Sequence, residues 1–223
     1  VIVESTRAGL AAVIDHTILA PEATRAEVVA AASEAVGFGC ASVCVQPSMT
    51  SVAREVVGDR LPVCTVVGFP HGAGRSEAKA VEAALAVSQG ARELDVVAEL
   101  GAIAEGDLAA VAADVAMVRA AAPEVVLKVI LESALWTPSQ LSDGCAAALD
   151  GGADFVKTST GFHRAGGATR EAVVTMRSAV GRRAGVKASG GIRSATAALA
   201  LLDAGADRLG LSATATVLAE LPG

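Results

Sequence analysis

The sequence predicts an α/β fold, a (β/α)8 TIM barrel, on three observations. Eight short β-rich runs alternate with longer alanine-rich helical runs, the strand starts lie roughly 20 to 32 residues apart, and one glycine-led joint recurs three times. That spacing fits one strand plus one crossover helix. Regular alternation implies a parallel sheet, and eight units imply a closed barrel. No linker or low-complexity stretch divides the 223 residues, so residues 1–223 are expected to form one domain.

The elements follow in order. The first strand, Val13–Thr17, is the weakest, since it could continue an N-terminal helix. Thr24 and Glu27 form a capping box for a helix expected to stop at Gly37. Strands Ala41–Gln46 and Pro62–Val67 come next. Ser76 is the expected cap of a helix that ends at Gly90, ahead of strand Glu93–Ala98. After strand Val125–Leu131, Thr137, Pro138 and Gln140 open a capped helix that stops at Gly151. Strands Ala153–Thr158 and Gly185–Ser189 follow, then a helix from Ser194 to Gly205, then strand Ala206–Ser212. The repeated joint is Gly90-Ala91-Arg92, Gly152-Ala153-Asp154 and Gly205-Ala206-Asp207. Each copy ends a helix with glycine and opens a strand.

Composition narrows the partners. The formal net charge of −6 argues against nucleic acid or an anionic membrane surface as the main partner, but not against a small anion held locally. The longest uncharged run, Ala35 to Ala53, contains Gly37, Gly39, Gln46 and Pro47, so a helix end, a strand and a loop are expected there rather than a membrane span. No basic-then-apolar leader is expected. Cys40, Cys44, Cys64 and Cys145 form no C-x-x-C pair, which fits reduced core cysteines in a cytoplasmic protein. The three histidines are too scattered for a metal site, and His71 and His163 sit in loops.

The chemistry points to lysine. Against 14 arginines stand only Lys79, Lys128, Lys157 and Lys187, and three of these lie in apolar strands, where lysine is uncommon unless paired or functional. Lys157 and Lys187 each stand in V-K-x-S, at the end of the sixth and the seventh strand, where both can point into the barrel mouth. A lysine nucleophile must be neutral, against a reference pKa of about 10.4. A second ammonium about 5 Å away costs roughly 3 kcal/mol at an effective dielectric near 20, so two lysines facing one pocket favour an amine nucleophile. Lys128 is deeper in its strand and is expected to pair with Glu93, and Lys79, with Glu82 nearby, is expected to be solvated. Asp95 sits between apolar neighbours and needs a cation, and the mouth lysines are the candidates. Asp15, near the end of the first strand, could also face the mouth. Gly161, Gly166 and Gly167, then Gly190 and Gly191, then Ser212 follow strands six, seven and eight, where exposed N–H groups can hold a phosphate.

These motifs resemble those of the deoxyribose-phosphate aldolase family. The matching segments are Asp15-His16-Thr17-x-Leu19, Ser42-Val43-Cys44-Val45, Val66-Val67-Gly68-Phe69-Pro70, Glu93-Leu94-Asp95-Val96-Val97, Phe155 to Phe162 and Val186 to Arg193, in order over nearly the whole chain. The resemblance implies a class I aldolase that reversibly cleaves 2-deoxy-D-ribose 5-phosphate to D-glyceraldehyde 3-phosphate and acetaldehyde. It implies that Lys157 forms the imine, that Asp95 and Lys187 move protons, and that Cys44 lies near the pocket. Asp15, Thr158, Gly161, Gly190, Gly191 and Ser212 complete the expected substrate site. No metal or organic cofactor is implied, and a homodimer is the reasonable assembly. The chain departs from common family features at Glu99 (often Asn), at Ala20 (often Lys) and at Ala213 after Ser212, where some members have a second serine. It also has no tyrosine, which some members place at the extreme C-terminus to help move protons. Rival readings are another Schiff-base lyase or transferase on a barrel, or a barrel that binds sugar phosphates without catalysis.

Overall fold

The computed structural model describes residues 6–222, and the ends of the expected domain, 1–5 and 223, lie outside the described residues. The strands are β1 (Ile14–Ile18), β2 (Ser42–Val45), β3 (Val63–Val67), β4 (Glu93–Val97), β5 (Val126–Ile130), β6 (Phe155–Lys157), β7 (Gly185–Ser189) and β8 (Arg208–Leu211). They pair parallel in sequence order, and β8 pairs with β1, so the barrel is closed. A helix α1 (Arg7–Ala11) precedes β1 and ends before it, so the weakest expected strand is separate from the N-terminal helix. The crossovers carry α2 (Arg25–Phe38), α3 (Thr50–Val57), α4 (Ser76–Ser88), α5 (Leu100–Glu105), α6 (Leu108–Ala121), α7 (Pro138–Asp150), α8 (Arg170–Val180) and α9 (Ala195–Asp203), and α10 (Thr214–Ala219) follows β8.

Capping sets the helix starts. Both expected capping boxes form, at Thr24 with Glu27 and at Thr137 with Gln140. Ser194 caps α9 by accepting from the Ala197 N–H. Two expectations are corrected. Helix α2 runs through Gly37 and stops at Gly39, whose φ of 69° supplies the left-handed cap. Ser76 is the first residue of α4 and not its cap; Arg75 stands there with no side-chain bond.

The recurring joint has a physical cause. Arg119 of α6 lays its methylenes over Gly152 and donates to the Gly152 carbonyl at 3.0 Å and to Asp154 at 2.5 Å. Arg177 of α8 does the same over Gly205, donating to its carbonyl at 2.9 Å and to Asp207. Both glycines have positive φ, 92° and 113°, and a Cβ at either would press on the arginine stem. Asp154 and Asp207 also accept the N–H groups of Leu127 and Val186, each at 2.8 Å. The joint therefore fixes a helix, a turn and the neighbouring strand at once.

The apolar core lies between strands and helices, with Val43, Val63, Leu94, Val129 and Val186 packed in one cluster with Val28, Val111, Val115 and Met176. Toward the barrel axis lies a small apolar set, Leu19, Cys44, Cys64 and Val66, with Phe69 against it. Val97 and Ile130, two residues on from Asp95 and Lys128, face the same way, and the layer beneath them is charged.

Candidate active site

Successive strand residues face opposite sides, so each strand sends alternate side chains inward. Lys157 and Lys187 are register partners on β6 and β7, and Lys187 is the partner of Arg208 on β8. Asp95 on β4 is the centre of the interior. Its Oδ2 accepts from Lys157 Nζ and Lys187 Nζ, both at 2.7 Å, and its Oδ1 accepts from Lys128 Nζ at 2.9 Å. Lys187 Nζ also lies 2.5 Å from Asp15 Oδ2, an ion pair off the hydrogen-bonding direction. Arg208 Nε donates to Asp15 Oδ1 at 3.0 Å, and Arg208 Nη2 reaches Glu93 at 3.0 Å. Lys128 Nζ lies 2.6 Å from Glu93. Gly210 makes room for this network: a Cβ there would stand 3.0 Å from Lys187 Cε, so a side chain would push Lys187 aside.

Burial disfavours every one of these charges, and opposite charges decide the outcome. For Asp15, burial is outweighed by Lys187, Lys128 and Arg208, which hold its carboxyl well below the usual range. For Asp95, Lys128, Lys157 and Lys187 do the same. In turn, Asp15 and Asp95 hold the Lys187 ammonium above its ordinary range against its burial, and Asp95 leads the groups that raise Lys128. Lys187 is therefore a locked cation. The expectation that it faces the mouth is corrected, because it is fully buried on two carboxylates.

Above this floor opens a cavity of about 910 Å³ at the C-terminal ends of the strands. Its wall comes from the segment after β1, from Lys157 and the loop after β6, and from the loops after β7 and β8. Of the expected site residues, Lys157, Gly161, Gly190, Gly191 and Ser212 line it. Asp95, Lys187 and Asp15 form the charged floor and do not line it. Thr158 is buried too; its hydroxyl donates to the Ser189 carbonyl at 3.1 Å and accepts the Ser189 N–H at 3.0 Å, tying β6 to β7. Cys44 is fully buried beside Cys64 and is no wall residue either. Burial pushes the Cys64 thiol well up, whereas a hydrogen bond from Cys64 lowers Cys44.

Three features escape the sequence reading. Arg208 lies within the expected strand Ala206–Ser212 but is not singled out there; its signal is that it shares a strand face with Gly210. Glu132, just after β5, is buried with φ of 53° and accepts the Thr160 hydroxyl at 2.6 Å and the Thr160 N–H at 3.3 Å. A non-glycine residue in that region is strained, and this one braces the loop that follows Lys157. Lys79, expected in solvent, is 1% exposed and donates to Asp114 at 2.7 Å and to the Val97 carbonyl at 2.9 Å. Its signal is Asp114, a lone carboxylate in the apolar helix α6.

Cys44, Cys64 and Asp95 bring their ligand atoms within 4.8 Å of one another. Lys128 Nζ, however, stands 2.9 Å from Asp95 Oδ1 and 3.4 Å from Cys64 Sγ. A divalent cation would share that space with an ammonium, so the trio does not suit a metal.

Comparison with known proteins agrees with this geometry. The model of a family described as DeoC/LacD family aldolase matches residues 10–213. Deoxyribose-phosphate aldolase from Mycobacterium tuberculosis is 55% identical over 219 residues, covering 96% of this chain and 97% of its own. The protein of the same name from Mycobacterium ulcerans is 55% identical over 222 residues, covering 98% and 97%. The structure of deoxyribose phosphate aldolase from Aeropyrum pernix, described as tetrameric, matches with a TM-score of 0.89 at 36% identity, over 96% of this chain and 92% of that one.

Proposed function

The chain belongs to the DeoC/LacD family of aldolases, and from that premise we infer that it reversibly cleaves 2-deoxy-D-ribose 5-phosphate to D-glyceraldehyde 3-phosphate and acetaldehyde through an imine on Lys157. One observation carries the choice of lysine: of the four, only Lys157 lines the cavity at the strand ends. Lys128 and Lys187 are sealed beneath it, and Lys79 is buried between helices.

The chemistry runs in steps that this floor can serve. The neutral Lys157 amine adds to the substrate aldehyde carbon, and water leaves as the imine forms. The protonated imine draws electrons from the breaking carbon–carbon bond while the adjoining hydroxyl gives up its proton. Glyceraldehyde 3-phosphate departs and leaves an enamine, whose carbon takes a proton. Water then adds to the imine and frees acetaldehyde and Lys157. Asp95 Oδ2, 2.7 Å from both Lys157 and Lys187, is the group through which protons reach and leave the reacting nitrogen. The loops at Gly161, Gly190, Gly191 and Ser212 hold the phosphate through N–H groups and one hydroxyl, with Asp15, Cys44 and Thr158 supporting from below. No metal or organic cofactor enters.

The test is to incubate the protein with acetaldehyde and borohydride and to map the reduced adduct. An adduct at Lys157 is expected; one confined to Lys187 or Lys128, or none, would overturn the reading. A homodimer and a cytoplasmic setting belong to the same proposal. Val81 and Leu85, one turn apart on α4, are 60% and 57% exposed, which suits self-association; sedimentation would test it. Four free, buried cysteines suit a reducing compartment.

A further inference from the structure

The charges under the cavity form a closed figure. Arg208 pairs with Asp15, Asp15 with Lys187, Lys187 with Asp95, Asp95 with Lys128, Lys128 with Glu93, and Glu93 with Arg208. The six alternate in sign and sum to zero. Lys157 is attached to this ring at Asp95 alone, so the buried set holds four cations and three carboxylates.

We propose that Arg208 and Glu93, which close this ring at the far side from the cavity, are positioning residues for the aldol reaction: they keep the ring neutral without Lys157 and so make Lys157 the cation that gives up its proton. The proposal rests on the reading of Lys157 as the imine-forming residue.

Six of these seven charged side chains are buried, and Arg208 is 17% exposed, so little water is at hand to screen a surplus charge. Asp95, with two oxygens, already serves Lys128 and Lys187, Glu93 is held by Lys128 and Arg208, and Asp15 is held by Lys187 and Arg208 with Lys128 at 3.6 Å. A buried charge without a partner of its own is costly, and the surplus can leave only where a proton can. Arg208 keeps its proton at any ordinary pH. Lys187 and Lys128 are fully buried, whereas Lys157 touches the cavity. The other titratable groups facing this space are Cys44 on β2 and Cys64 on β3, and Glu22 and Arg193 line the cavity wall.

Charge counting gives the two residues opposite effects, which a merely structural role would not. With Arg208→Met the set holds three cations and three carboxylates, the Lys157 ammonium is no longer in excess, and imine formation should require higher pH. With Glu93→Gln the excess grows, and imine formation should extend to lower pH. Each shift should be about one pH unit, the order of one unit charge acting across the barrel floor at an effective dielectric near 20. The double variant should return close to the parent, and Arg208→Lys, which keeps the charge, should behave like the parent.

The experiment follows borohydride trapping of acetaldehyde across a pH series on the full chain and these variants, with circular dichroism as the check on folding. Opposite shifts that cancel in the double variant support the proposal. Shifts in the same direction, or none in folded variants, overturn it. If Arg208→Met does not fold, Glu93→Gln decides alone: a midpoint moved to lower pH supports the proposal, and an unmoved or raised one overturns it. A parent protein that traps nothing at Lys157 overturns the imine reading itself, whereas normal trapping with unmoved midpoints overturns only the ring.

Discussion

Lys157 and Lys187 share the motif V-K-x-S and face each other across β6 and β7, yet the barrel gives them different work. Lys157→Leu should trap no aldehyde at any pH, because no nucleophile remains, while Lys187→Leu should still trap when the pH is raised; equal loss in both would show that the lysines are not distinct. Ser212 is exposed on the cavity wall, where the proposed function gives its hydroxyl to the phosphate. Ser212→Ala should weaken binding of the phosphorylated substrate by roughly 1–2 kcal/mol and leave unphosphorylated deoxyribose nearly unaffected, as competitive binding of the two sugars would show. Glu132 is the third case. Glu132→Ala leaves the O–H and N–H donors of buried Thr160 without the acceptor they share and should cost about 1–3 kcal/mol in a urea titration. At this scale the sequence told which residues carry charge in apolar strands. It did not tell that Arg208 points inward or that Glu132 adopts a left-handed backbone, because the partners that hold them, Asp15 and Glu93 for one and Thr160 for the other, lie far away along the chain.

At the scale of elements, most of the pattern was legible. Capping boxes depend on residues three apart, and strand ends depend on glycine and proline, so both are local. Lys79 was not legible, because its partner lies 35 positions away on α6. The pair joins α4 to α6 with both side chains 1% exposed. Lys79→Met strands the Asp114 carboxylate and should cost about 3–5 kcal/mol, and adding Asp114→Leu should recover most of that, since an apolar pair can replace a buried ion pair. Thermal unfolding of the single and double variants would measure both, and a double variant no more stable than the single would show that helix packing, and not charge, sets the cost.

For the whole molecule, the charged interior sets how stability follows pH. Asp15 and Asp95 are depressed in the fold, so their contribution is present above the unfolded value of about 3.9 and is lost as pH falls below it. Lys187 and Lys128 are raised, so their contribution is present below about 10.4 and is lost as pH rises beyond it. Burial pushes the Cys40 and Cys145 thiols up to about 12. Ionisation of those thiols in the unfolded chain therefore draws stability away from about pH 8.5 upward. Burial lowers the His16 pKa, so protonation of that imidazole in the unfolded chain draws stability away below about pH 6.5. The urea midpoint should be nearly level from about pH 6.5 to 8 and fall on both sides, and a midpoint that climbs on acidification would contradict the charge network.

The sequence by itself determined the barrel, the order of its strands and the family of its chemistry, because periodicity, caps and the two V-K-x-S segments are short-range properties of the chain. Only the tertiary structure decided which lysine is open to the cavity, that one carboxylate serves three lysines, and that Asp15, Cys44 and Thr158 lie beneath the site instead of on its wall. Closing the sheet brings β1 beside β8 and turns alternate residues of all eight strands toward one axis. Burial and charge balance along that axis depend on every strand together, and no single segment carries them.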